Sequence, residues 1–254
     1  MSDPMHGESG WWESFFRGPW EALQLGGYPE ERTRSEAAFA LSALQIQPGS
    51  RILDVPCGEG RHSIEFARQG HRPTGLDFNP AAIAIARERA NAKAVQAEFV
   101  VADMRELDAA AEYDAAVCFF GSFGYFSDDD NLRFASNVAR ALRPGASFLI
   151  DSHVAESLLP SFRERDWFWV RQPSPLRVLE ERRFDMHTGR IEVTWTFIRD
   201  ASVVSSTSSI RLYTYRELCE LLRKAGFSRF QAYETGKLEP FRVGSSRLTI
   251  VAQR

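Results

Sequence analysis

The stretch Arg51-Ile-Leu-Asp54-Val-Pro-Cys57-Gly58-Glu59-Gly60-Arg61-His62 decides the fold. A short apolar strand, Arg51–Val55, meets an acid and a glycine-rich turn, and a helix then opens over residues 61–69 and closes at Gly70. Gly58 and Gly60 permit a tight turn and let backbone approach a ligand closely. A second strand, Pro73–Leu76, runs into Asp77, 23 positions after Asp54. An acid about 20 residues beyond such a turn is where a ribose diol is gripped, because carboxylate oxygens accept bonds from both hydroxyls.

The alternation continues downstream. Pro80–Asn91 reads as a helix, Glu98–Val101 and Asp114–Phe119 as strands, Asp129–Leu142 as a helix and Ser147–Asp151 as a strand. Upstream, Glu36–Gln45 is an amphipathic helix ended by Pro48-Gly49. Strand followed by helix with short loops specifies a doubly wound parallel α/β sheet. Near the end, helix Tyr215–Ala225 precedes two strands, Phe230–Thr235 and Arg247–Ala252, with no room for a helix between them. They must pair as an antiparallel hairpin.

Between these parts the period changes to two. Trp167–Val170, Arg177–Phe184 and Arg190–Arg199 alternate, with Ile191, Val193, Trp195 and Phe197 on one face, and Ala201–Thr214 adds a further strand. The expected architecture is therefore a seven-stranded, mostly parallel sheet with a terminal antiparallel hairpin, built from residues 36–159 and 213–254, plus an antiparallel β meander inserted over 160–212. Residues 1–35 form an aromatic arm in which Trp12, Phe16 and Trp20 recur every four positions, suiting short helices broken near Gly18-Pro19. Such an arm either packs on the core or closes over a ligand as a lid.

Composition narrows the function classes. The chain has 254 residues, 44% hydrophobic and 26% charged, with a net charge of −3. That balance lacks the basic footprint of a nucleic-acid binder. Cys57, Cys118 and Cys219 show no metal-ligand spacing, so no metal is expected. Nowhere does an apolar run approach ~18 residues, and the first ten residues lack the basic and apolar parts of a secretory leader. A cytoplasmic protein without membrane partners is expected.

The turn also carries information through its charge. A dinucleotide site favours a third glycine, where Ser63 stands here, and a place for pyrophosphate at the helix start. Asp54 and Glu59 are electrostatically wrong for phosphates and right for a positively charged ligand carrying an ammonium and a sulfonium. A purely architectural role for Asp54, capping the helix or ordering the loop, stays open.

On these residues the chain resembles the class I S-adenosylmethionine-dependent methyltransferases over about residues 28–254. The resemblance implies S-adenosylmethionine as cofactor and S-adenosylhomocysteine as product. It implies contacts from Asp54, Cys57, Gly58 and Gly60 to the methionine half, Asp77 on the ribose and Phe78 beside the adenine. Asp103 would receive the adenine amino group, with Met104 packed on the ring, and Phe119 and Phe120 would face the methyl group. Pro56-Cys57 departs from the small residues usual in this motif, a change tolerable where backbone makes the contact. More loosely, Arg32-Thr33 stands where an arginine binds the cofactor carboxylate in glycine N-methyltransferase-like enzymes, with Arg34 competing and Tyr28 nearby.

Methyl transfer needs alignment and exclusion of water, and a general base only when the nucleophile arrives protonated. His153, just after a strand at the ligand-binding edge, is the candidate base, although bonding to a neighbouring loop would equally account for it. Trp20, Tyr125, Trp167, Trp169 and Tyr213 are candidate substrate contacts. Trp167, Phe168 and Trp169 would join Trp195 in an aromatic pocket, or else fill the insertion's own core. The acceptor is expected to be a small molecule, with N-methylation ahead of O-methylation, in a monomer or homodimer. The rivals are an NAD-dependent oxidoreductase and a non-catalytic S-adenosylmethionine-binding sensor or subunit.

Overall fold

The structure is a computed structural model, and it describes residues 10–17, 28–170 and 175–254. Contacts divide the chain into two compact units: one of residues 1–28, 124–128 and 162–212, the other of 29–123, 129–161 and 213–254.

The second unit is the α/β part. Its strands are β1 (Arg51–Asp54), β2 (Arg72–Asp77), β3 (Glu98–Val101), β4 (Tyr113–Cys118), β5 (Leu142–Ser152), β10 (Arg229–Glu234) and β11 (Leu248–Gln253). They lie in the order β10-β11-β5-β4-β1-β2-β3. Pairing is parallel from β3 through β5, and β11 runs antiparallel to both β5 and β10. This is the seven-stranded sheet with an antiparallel hairpin that the sequence predicts.

Helices cover both faces, which is why the strands are apolar on both sides. Alternate residues of β5 show the two layers. Leu149 joins Ala37 and Ala40 of α2 (Glu30–Leu44) and Phe66 of α3 (Arg61–Arg68). Phe148 instead meets Phe134 of α5 (Asp128–Ala141) edge-on at 6.1 Å. Cys57, Ile64 and Phe99 form a further cluster with Ile83 and Ala86 of α4 (Pro80–Ala92).

One boundary moves. The helix expected from Glu36 begins at Glu30, so residues 30–35 are its first turns and do not belong to an arm. Glu30 and Glu31 suit the positive end of the helix dipole, and Glu30 also pairs with Lys93 at 2.6 Å. Two short elements that carry no periodic signal also appear: the 3-10 turn Met104–Glu106, and α6 (Ala155–Leu158) after β5. The last helix, α7 (Tyr215–Lys224), starts with a capping box between Thr214 and Glu217.

The first unit holds α1 (Trp11–Phe16) and a four-stranded meander of β6 (Arg165–Val170), β7 (Leu176–Asp185), β8 (Arg190–Arg199) and β9 (Ser202–Arg211), each antiparallel to the next. One face carries Val178, Ile191, Val193 and Phe197, all buried, with Phe15 of α1 at 5.9 Å from Trp195. Cross-strand pairs share a face, which corrects the expected aromatic pocket. Trp167 pairs with Leu179 and Trp169 with Arg177, whereas Trp195 pairs with Glu180. Trp167 and Trp169 thus stand on the face opposite Trp195, and the three cannot wall one cavity. The two are exposed, with the Arg177 guanidinium over both rings.

Candidate functional site

In an open α/β sheet, ligands bind beyond the carboxyl ends of the strands, where the strand order reverses. Here that point lies between β1 and β4. The turn after β1 is held by backbone bonds from Val55 to Val117 and from Cys57 to Leu76, both 2.9 Å. Gly58 and Gly60 adopt φ of +54° and +73°. At Gly60 an added Cβ would sit 2.6 Å from the Phe99 ring, so no other residue fits. A Cβ on Gly58 would meet nothing within 4 Å, so open space faces the turn there.

Two strands end in buried acids and a third, β5, carries one as its last residue but one, and each acid grips backbone. Asp54 accepts from Ser63 twice, through N–H at 3.1 Å and through the hydroxyl at 2.6 Å. Burial raises its pKa to about 7 despite those bonds and the nearby Arg61 charge. Asp77 accepts the Gly58 N–H at 2.8 Å and the Asn79 N–H at 2.9 Å, which joins the turns after β1 and β2. Its pKa too is raised by burial. Asn79 then caps α4 by accepting from Ala81. Asp151, the third, accepts the Phe120 N–H at 3.1 Å.

One expectation about charge needs correction. Glu59 does not stand beside Asp54 as a second free carboxylate, because its side chain pairs with Arg89 at 2.5 Å. Arg32 is held by Glu36 at 2.9 Å, and Glu36 also takes Arg61 at 2.6 Å and His62 at 3.0 Å. Burial pushes the Glu36 carboxyl up, but the His62 bond and the Arg61 and Arg32 interactions outweigh it and hold the pKa at about 2. Burial takes His62 down to about 4, so it is neutral at pH 7. Its ring stacks on Phe119 with centroids 4.1 Å apart.

Phe120 follows in the left-handed region at φ +62°. For a bulky residue that conformation costs on the order of 1–3 kcal/mol and persists where the surroundings impose it. Its ring lies under the guanidiniums of Arg61, Arg247 and Arg32 at 4.6, 5.1 and 5.2 Å.

The remaining candidates are scattered. Phe78 is half-buried and Met104 buried. Both Asp103 oxygens bond the Arg105 guanidinium, which also reaches Asp130 at 3.2 Å. His153 is exposed just beyond β5. Tyr213 is buried and its hydroxyl accepts from Asn131 at 3.1 Å. Tyr28 and Tyr125 belong to the first unit, where Tyr125 meets Trp11 edge-on at 5.2 Å. Trp20 lies outside the described residues. Sequence reasoning missed Glu36, Arg61, Asp151, Thr235 and Arg247. For Asp151 a signal existed, since it lies near a strand end, as Asp54 and Asp77 do. Among the described residues no cluster could hold a metal ion, and no helix is long and apolar enough to cross a membrane.

Comparison with known proteins agrees with this geometry. Residues 52–145 match the methyltransferase domain family. A putative methyltransferase of Geobacillus sp. is 32% identical over 53% of this chain and 55% of its own length. A glycine/sarcosine N-methyltransferase of Halorhodospira halochloris is 27% identical over 51% of this chain and 50% of its own. The chain thus spans about half the length of these curated relatives. In fold it is similar to a crystal structure of an S-adenosylmethionine-dependent methyltransferase from Clostridium acetobutylicum, with a TM-score of 0.76, 14% identity and coverage of 94% and 97% of the two chains. The likeness to a methyltransferase domain is thus carried by residues 52–145, which hold the glycine turn and the strand switch point, in a fold similar to that of an S-adenosylmethionine-dependent methyltransferase.

Proposed function

We propose that this protein binds S-adenosylmethionine at the turn after β1 and transfers its methyl group to a small molecule, with nitrogen favoured over oxygen as acceptor. The observation that carries this reading is the open turn at Gly58, set between buried Asp54 and Asp77 at the strand switch point. The donor set suits the cofactor. Asp77, besides the backbone N–H groups it holds, has acceptor capacity left for a ribose hydroxyl. Asp54, which a neighbouring cation would hold ionised against the effect of burial, suits an ammonium and a sulfonium, Cys57, Gly58 and Gly60 offer backbone, and Arg32 with Arg61 suits a carboxylate. Phe78, Asp103 and Met104 would take the adenine.

The bound cofactor would supply an electrophilic methyl group on a positively charged sulfur. The residues of the chain then align and shield. Phe119 and Phe120 close the β4 end with apolar surface, and Tyr213 is the acceptor-side residue of the same unit. An amine arriving neutral needs no base, while a protonated nucleophile would hand its proton to His153 or to water. A likeness to a glycine/sarcosine N-methyltransferase supports the nitrogen acceptor.

Isothermal titration with S-adenosylmethionine and S-adenosylhomocysteine, followed by turnover with a panel of amines and phenols, tests the reading. Binding with methylation of an amine is the expected result. Binding without transfer to any acceptor points to a sensor or subunit. Failure to bind either compound, with NAD bound instead, removes the assignment.

A further inference from the structure

The mouth of the cleft contains a device that the cofactor motifs do not account for. Phe120 and Gly121 turn the chain sharply at the end of β4, both with positive φ. Asp151, 3% exposed near the end of β5, holds that turn twice. Its carboxylate accepts the Phe120 N–H at 3.1 Å, and its own carbonyl accepts the Gly121 N–H at 2.9 Å. The carboxylate is fixed in turn by the Arg247 guanidinium, through Nε at 2.9 Å and through Nη2, and by the Thr235 hydroxyl at 3.0 Å. Arg247 closes the circuit, since its guanidinium also lies 5.1 Å from the Phe120 ring centroid. The antiparallel hairpin brings these groups together, because β11 pairs Thr249 with Asp151.

We propose that Asp151 is a positioning residue for methyl transfer: clamped by Arg247 and Thr235, it imposes the left-handed Phe120–Gly121 turn and so fixes the wall that faces the transferable methyl group. This rests on the cofactor reading above. A left-handed aromatic residue does not hold its conformation unaided, and a charged acceptor on its N–H is the restraint that opposes relaxation. The turn also supports the cofactor helix, because His62 stacks on Phe119 and Arg61 lies over Phe120. Loosening the clamp should therefore alter the place of the methyl group more than the adenosine end.

The test compares S-adenosylhomocysteine with sinefungin, which carries an ammonium-bearing carbon where the cofactor carries its methylsulfonium. In Asp151→Asn the preference for sinefungin over S-adenosylhomocysteine is expected to fall about three- to tenfold, the scale of one ordinary hydrogen bond. Hydrogen exchange at the Phe120 and Gly121 amides should rise while that at Gly58 stays unchanged. Thr235→Val removes one bond to Asp151 without changing charge and should move both readouts in the same direction by a smaller factor. It also carries the test if Asp151→Asn fails to fold. An unchanged preference, an equal loss of both compounds, or a change in Asp151→Asn with none in Thr235→Val overturns the proposal, the last by reducing the effect to charge alone. If the unmodified chain binds neither compound, the cofactor reading itself fails and the clamp's role falls with it.

Discussion

The turn after β1 and the meander of the first unit solve different problems with their polar groups. Around the turn, Asp54, Asp77 and Asp151 are buried, and each is spent on backbone N–H groups that would otherwise face the cleft unmatched. In the meander, the buried face is a strip of Leu176, Val178 and Phe197, while Trp167, Trp169 and Val203 are exposed. The first arrangement fixes one backbone geometry and tolerates little change. The second packs an apolar strip on a hydrogen-bonded ladder, with buried Glu180 paired to Arg182 and Ser208 bonded by Trp195, and leaves its outer face freer to vary. Shape at the turn is thus set by hydrogen bonds, and shape in the meander by register.

The sharpest way to break this contrast is Gly60→Ala. With a Cβ 2.6 Å from Phe99 and 2.9 Å from Ala86, in a left-handed conformation, the variant should lose about 3 kcal/mol or more of stability in denaturant unfolding. Retention of full stability would show that the turn is softer than its packing implies.

Acid titration sharpens the comparison further. The pKa of His62 falls from 6.5 unfolded to about 4 folded, so the unfolded chain binds more protons in that window and stability drops as the pH falls through it. Asp54 does the reverse, its raised pKa of about 7 giving the folded state the extra proton from 3.8 upward. The two slopes oppose each other, with Asp77, also raised by burial, on the Asp54 side, so these groups should cost the unmodified protein no stability as the pH falls from 6.5 to 4. Asp54→Asn should expose the His62 slope and lose up to about 3 kcal/mol across that range, at roughly 1.4 kcal/mol per pKa unit. Melting temperatures across pH for the two proteins provide the check.

Asp77→Ala is expected to weaken S-adenosylhomocysteine binding by roughly tenfold or more, the scale of a lost charged hydrogen bond. Unchanged affinity by titration calorimetry would remove the ribose assignment. At the small end, Trp169→Ser on the open face of the meander should shift stability by no more than about 0.5 kcal/mol. A larger loss would mean that this face is not the tolerant surface described.

The same contrast explains what could be read in advance. The turn, its flanking acids and the α/β alternation are local in sequence, so spacing and residue type reveal them. The terminal hairpin was equally plain, because the chain between its strands leaves no room for a crossover helix. The clamp on Phe120 was hidden, since Arg247 lies 96 positions from Asp151 and meets it only through the β5–β11 register. Glu59 looked free because Arg89 reaches it from the next helix but one. The sides taken by Trp167 and Trp195 depended on register as well, and a shift of one residue exchanges the faces of a strand.

The two bonds of Asp77 to the Gly58 and Asn79 amides reverse the usual ranking of conservative replacements. Asparagine has the same shape but only one accepting oxygen. However its amide flips, its NH2 group would point at one of those two backbone donors. The isostere is then worse than a truncation, which leaves room for water. Anyone retuning the cleft by directed variation should hold position 77 constant and diversify its half-buried neighbour Phe78 instead.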